Sequence, residues 1–156
     1  MLIQGGEVLN DNFSFEKVNV KIVGDKIDCI CNECKDDVVI DATDCYVVPG
    51  FIETHMHGAM GKTFIDFEED TYGTIAEFEA KNGTTSFLPT LSAAREEKLV
   101  KCLEYIKKCA KNPMENCTEI VGVHMEGPFF AERYKGAHLP ENIRNPQINE
   151  FCKYLD

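Results

Sequence analysis

Three short stretches of the sequence contain residues that can do chemistry: His55-Met56-His57, His124-Met125-Glu126 and Lys135-Gly136-Ala137-His138. In the first stretch the two histidines lie at i and i+2 near the end of an apolar run. Such residues of a strand point to the same face, so both imidazoles would project to one side. Two adjacent imidazoles are the natural beginning of a transition-metal site. A pair of surface or core histidines fits the pattern equally well.

The second and third stretches offer further polar groups. Glu126 follows another apolar run, where its carboxylate can bind one metal ion, bridge two, or simply be solvated. His124 shares its face and can support a metal site without binding the ion itself. His138 can polarise a carbonyl, hydrogen-bond a sugar hydroxyl, or be a surface histidine.

Strands and helices alternate after Pro49. The predicted strands are Phe51–His57, Thr84–Leu88, closed by Pro89, and Glu119–Val123. The first predicted helix runs through Tyr72, Ile75 and Phe78 and ends at Asn82-Gly83. The second is capped by Ser92 and has a core stripe of Leu99, Leu103, Ile106 and Ala110. A third helix begins at Asn149. This alternation predicts an α/β fold with a parallel sheet, doubly wound or a (β/α) barrel. A barrel needs eight strands and about 250 residues, so only its first three strands are expected here.

The residues before Pro49 have a different pattern. Short apolar runs alternate with polar residues and turns, at Val18–Ile22, Lys26–Ile30, Val38–Ile40 and Tyr46–Val48. We therefore expect a small antiparallel β-sheet domain at 1–48, an incomplete β-sandwich, followed by the barrel portion at 49–156.

Composition excludes several classes of partner. The net charge is −11 and the isoelectric point is near 4.8, which argues against nucleic acid and anionic membranes as partners. No run approaches the roughly 18 apolar residues of a membrane span. The first residues show no secretory signal, so we expect a cytoplasmic protein with reduced thiols. Cys29, Cys31 and Cys34 suggest a zinc site, but a second cysteine pair is missing, which favours ordinary thiols.

Taken together, four motifs indicate a family. The stretch from Pro49 to Gly58 resembles the signature that opens the barrel of the amidohydrolase superfamily. Gly83–Thr90, His124–Phe129 and Lys135–His138 narrow the resemblance to the N-acetylglucosamine-6-phosphate deacetylase family. The resemblance runs along essentially the whole chain.

The resemblance implies a metal-dependent hydrolase that converts N-acetylglucosamine 6-phosphate to glucosamine 6-phosphate and acetate. In that family the glutamate that matches Glu126 binds a divalent metal ion, zinc, iron or similar, and the pair that matches His55 and His57 binds a second ion where it is present. The residues that match Ala137 and His138 contact the substrate. The resemblance also implies a homo-oligomer for the full-length protein, with an amino-sugar phosphate as its small-molecule partner.

This chain departs from the family in two respects. Glu53 stands where members commonly have aspartate. The family's two further histidine ligands, its catalytic aspartate and its phosphate-binding arginine match positions beyond Asp156, so no catalytic residue is expected within this chain. Two alternatives stay open: an amidohydrolase for another N-acyl sugar or a cyclic amide, and an inactive fragment that only binds metal or sugar.

Overall fold

The computed structural model describes residues 1–155, which form two compact units, one of residues 1–49 and one that begins at Gly50. The first unit contains only strands: β1 Leu2–Gln4, β2 Glu7–Leu9, β3 Phe15–Lys17, β4 Asn19–Val23, β5 Lys26–Cys31, β6 Val39–Asp41 and β7 Tyr46–Val47. They build one sheet in the order β5-β4-β1-β6 and another in the order β3-β2-β7.

The prediction of one small antiparallel sheet is wrong for this unit. Strands β6 and β7 pair parallel with β1 and β2, so both sheets are mixed. The cause lies in β1, β2 and β3, which have three residues each. Segments this short show no alternation in the sequence, yet they supply the partners that separate the predicted strands into two sheets.

Three cysteines of the first unit lie close together. The sulfur atoms of Cys29, Cys31 and Cys34 lie within 4.8 Å of one another, and those of Cys31 and Cys34 are in direct contact. The Cα atoms of that pair are 6.0 Å apart, which is within the usual range for a disulfide.

The second unit has one parallel sheet with helices. Its elements are β8 Phe51–Met56, the hairpin β9 Gly58–Ala59 and β10 Lys62–Thr63, α1 Thr71–Lys81, β11 Thr84–Ser92, α2 Glu96–Lys111, β12 Glu119–Ile120, β13 His124–Glu126 and α3 Ile148–Cys152. Strand β11 lies in the centre, with β8 parallel on one side and β12 and β13 parallel on the other. The spatial order of the three predicted strands therefore follows their order along the chain.

Several boundaries correct the sequence predictions. Strand β11 continues through Pro89 to Ser92, because a shift of register between Phe87 and Pro89 accommodates a residue that has no N–H to donate. Ser92 is thus the end of a strand, and Arg95 precedes α2 instead. The third predicted strand is interrupted at residues 121–123 and resumes at His124.

The core of the second unit lies between the sheet and the two long helices. Phe64, Phe87, Leu91, Ile75, Leu99 and Ile106 are almost completely buried there. Of the stripe predicted on α2, Leu103 is only half-buried and Ala110 is exposed, while Cys102 is buried in their place. Phe78 on α1 is likewise partly exposed, and Ala76 takes its place in the core. No helix of the described residues is long and apolar enough to cross a membrane.

Candidate metal centre

His55, His57 and Glu126 meet at the carboxyl ends of the parallel strands. Nε2 of His57 lies 3.0 Å from Oε2 of Glu126, and Nε2 of His55 lies 3.7 Å from the same oxygen. The parallel register explains the meeting, since β8 and β13 flank β11 and Ser92 is paired with Glu126. The structure thus brings together the three residues that the sequence predicts as metal ligands.

Local structure holds the two imidazoles in place. The backbone N–H of His55 donates to Oε1 of Glu53 at 2.8 Å. Glu53, which stands where family members commonly have aspartate, therefore makes a contact next to the candidate ligand His55. The backbone N–H of Phe64 donates to the carbonyl of His57 at 3.2 Å, which joins the end of β8 to the segment after the hairpin. Phe64 is fully buried and fixes that segment.

Strand β11 contributes two polar side chains that the sequence analysis did not assign to the site. Oγ of Ser92 lies 3.1 Å from Nδ1 of His57, and Oγ1 of Thr90 lies 3.2 Å from Nδ1 of His124. The signal in the sequence was the i, i+2 spacing of these two residues on a strand that lies between the two candidate ligand strands. This spacing was not recognised because serine is also a common helix cap and Ser92 was assigned to that role. The ring of His124 packs edge-on against His55 at 4.5 Å, and His124 lies outside the three-residue cluster.

Ala137 and His138 line the same cavity as the cluster. This cavity has a volume of about 890 Å³, and its wall includes His57, Glu126, Ala137 and His138. Nε2 of His138 lies 3.8 Å from Oε2 of Glu126, and its ring packs against Phe130 at a centroid distance of 4.9 Å. The side chain of His138 is only 13% exposed. It is therefore not the surface histidine that the sequence left open.

The cavity wall is locally basic although the chain is acidic. Arg95, Lys98 and Lys135 contribute to it. Lys98 forms an ion pair with Asp66, and Nζ of Lys135 donates to the carbonyl of His138 at 2.8 Å. Arg95 is exposed beside them. The positive charge of these side chains would attract an anionic group of a small ligand to this part of the cavity wall.

The cluster fits a divalent transition-metal ion by its chemistry. Imidazole nitrogen and carboxylate oxygen are ligands that zinc and iron(II) accept. Two ligands of one zinc ion lie no more than about 4.4 Å apart, because each bond is about 2.0–2.2 Å long. The Glu126 oxygen is within that distance of both imidazoles.

Comparison with known proteins decides the family. The profile of the Amidohydrolase family matches residues 46–153, which is more than half of the chain. The chain belongs to the amidohydrolase family.

The chain is similar to a curated N-acetylglucosamine-6-phosphate deacetylase of Vibrio furnissii. The two are 32% identical over an alignment that covers 70% of this chain and 27% of the relative. It is also similar to an N-acetylgalactosamine-6-phosphate deacetylase of Escherichia coli O157:H7, 33% identical over 69% of this chain and 28% of the relative. A solved N-acetylglucosamine-6-phosphate deacetylase of Thermotoga maritima superposes with a TM-score of 0.80 at 27% identity, over 98% of this chain and 39% of that one. The chain spans about a quarter to two fifths of the length of these relatives.

Proposed function

We propose that this amidohydrolase hydrolyses the acetamide of N-acetylglucosamine 6-phosphate, giving glucosamine 6-phosphate and acetate. The observation that carries the proposal is the cluster of His55, His57 and Glu126. Its members His57 and Glu126 line one cavity together with Ala137 and His138. The similarity to deacetylases of two hexosamine 6-phosphates supports the class of substrate.

In this proposal His55, His57 and Glu126 would hold one or two divalent ions, zinc or iron(II). A divalent ion there supplies Lewis-acid activation of an amide carbonyl and of a water molecule at neutral pH. The protein's part is to keep the ligand atoms oriented. Ser92 fixes the ring of His57 through its other nitrogen, a type of contact that orients metal-binding histidines generally.

Ala137 and His138 would contact the substrate. His138 has an imidazole on the cavity wall close to Glu126, so an N–H of its ring can donate to the acetamide carbonyl or to a sugar hydroxyl. The basic wall of Arg95, Lys98 and Lys135 favours an anionic sugar phosphate over a neutral sugar.

The remaining parts of the site would come from outside these 156 residues. The order of β8, β11 and β12–β13 is that of the first three strands of a (β/α) barrel, and the relatives are long enough to complete one. In this proposal a catalytic acid–base group and a phosphate-binding group would come from residues outside this chain. A cytoplasmic homo-oligomer stays a prediction.

N-acetylgalactosamine 6-phosphate is the second candidate substrate, because a deacetylase of this sugar is as similar to the chain as the glucosamine enzyme. The test is acetate release by the full-length protein from the two sugar phosphates and from dihydroorotate as a cyclic amide. Faster turnover of N-acetylglucosamine 6-phosphate supports the proposal. Faster turnover of the galactosamine isomer selects the second candidate, and turnover of the cyclic amide alone refutes both.

A further inference from the structure

The loop that carries Ala137 and His138 is closed at its base by Arg144. The backbone N–H of Arg144 donates to the carbonyl of Pro128 at 3.2 Å, so the two ends of segment 129–143 lie side by side. A loop of this size with adjoining ends is typical of the compact Ω-loops that often carry function. Segment 129–143 is called the His138 loop below.

The guanidinium of Arg144 joins the base of this loop to the end of strand β11. Its Nη1 donates to the carbonyl of Ala94 at 2.9 Å and to the carbonyl of Asn142 at 3.0 Å. Ala94 is buried and lies two residues after Ser92, the residue that contacts His57. Asn142 belongs to the His138 loop and lines the cavity. One side chain therefore connects the loop to the strand that supports the metal centre.

A buried carboxylate balances the charge of this arginine. Nε of Arg144 lies 2.9 Å from each carboxylate oxygen of Glu150 on α3, and Nη2 forms a close ion pair with the same group. Glu150 is only 7% exposed. The hydroxyl of Tyr154 also donates to Glu150, so the carboxylate is fully engaged. A buried charge of this kind persists only where partners compensate it.

We propose that Arg144 is a positioning residue, which fixes the His138 loop against the end of β11 and uses Glu150 as its buried counter-ion. The arrangement needs a guanidinium, because its planar fork of five donors reaches two carbonyls and a carboxylate at once. A lysine keeps the charge beside Glu150 and has only a compact ammonium group. The consequence for the substrate rests on the proposed function, whereas the ordering of the loop does not.

The test compares Arg144→Lys with Arg133→Lys in the full-length protein. Arg133 lies on the same loop, is exposed, and contacts the ring of Tyr134 at 4.6 Å, so it controls for the chemical change itself. We expect amide hydrogen exchange in 129–143 to rise at least about tenfold in Arg144→Lys, as loss of charge-assisted hydrogen bonds predicts. Exchange in α2 and the affinity for zinc should stay as in the wild type.

The kinetic readout separates positioning from general stability. With N-acetylglucosamine 6-phosphate, Arg144→Lys should raise KM about tenfold or more, with a smaller change in kcat, because a disordered loop must be ordered when substrate binds. If the wild type does not turn over this substrate, the proposed function fails and the exchange experiment still tests the role of Arg144.

Three outcomes would overturn the inference: unchanged exchange in the loop, the same increase in Arg133→Lys, or an increase spread equally over the whole second unit. If Arg144→Lys does not fold, Tyr154→Phe replaces it, since this variant removes only the hydroxyl contacts to Glu150 and Arg144. Faster exchange confined to the His138 loop in Tyr154→Phe supports the role, and unchanged exchange there refutes it.

Discussion

At the scale of single residues, each histidine of the candidate metal centre has a different polar neighbour. His57 is next to Ser92, and the backbone of His55 is bound by Glu53. Glu126 lies within 4 Å of both rings and also of His138. In the proposed site, loss of His55, His57 or Glu126 would leave two ligands, which bind a divalent ion only weakly.

Zinc binding tests the ligand assignment directly. We expect His55→Ala, His57→Ala and Glu126→Ala each to weaken zinc binding at least about tenfold, measured by calorimetry. Cys29, Cys31 and Cys34 form a second cluster that could bind zinc as thiolates, so all proteins should carry serine at these three positions as a common background. Equal zinc affinity in the parent and the His55→Ala, His57→Ala double variant would refute the assignment.

Ser92 provides a sharper test at the same scale. Because its hydroxyl orients His57 without being a ligand, Ser92→Ala should lower the zinc affinity about 10–100-fold while the fold stays intact. Ser92→Thr keeps a hydroxyl at this position and is expected to restore most of the affinity. An affinity that is unchanged in Ser92→Ala would show that the contact with His57 does not contribute.

At the scale of elements, the apolar patterns predicted the long elements well and the short ones poorly. The periodicity predicted helix α2 and the first five residues of strand β11, but it did not predict that β11 continues through Pro89. Parallel pairing predicted the shared end of β8 and β13. The three-residue strands of the first unit carry too few residues for a period. Arg144 was not predicted either, because its partners Ala94 and Glu150 come together only through the tertiary fold.

The ion pair between Arg144 and Glu150 predicts that the stability of the fold depends on pH. Arg144 lowers the pKa of Glu150 below its ordinary value of 4.5, opposed by burial and aided by Tyr154 and Lys153. The folded state therefore gains stability that is fully present above pH 4.5 and is lost as the pH falls through the lower pKa of the folded protein. Urea unfolding of wild type and Glu150→Gln should show a difference in stability at pH 7 that shrinks below pH 4. A constant difference across this range would contradict the ion pair.

At the scale of the whole molecule, the chain spans about a quarter to two fifths of the length of the amidohydrolases to which it is similar. Phe51, Ile52 and Val121 are more than half exposed on strands or strand ends of the sheet. We expect the 156-residue chain alone to aggregate readily, because apolar surface on its sheet is exposed. We also expect it to release no acetate above a metal-only control, because the proposed function takes its general acid from outside these residues. Turnover by this chain that Glu126→Ala abolishes would show the prediction to be wrong.

In the proposed function, the cluster of His55, His57 and Glu126 holds the ion on which hydrolysis depends. The direct measurement is acetate release from N-acetylglucosamine 6-phosphate by the full-length protein after chelation and after addition of zinc or iron(II). We expect that chelation abolishes turnover, that the ion restores it in the wild type, and that Glu126→Gln shows no recovery at any ion concentration. Full turnover in the chelated protein, or equal recovery in Glu126→Gln, would contradict it.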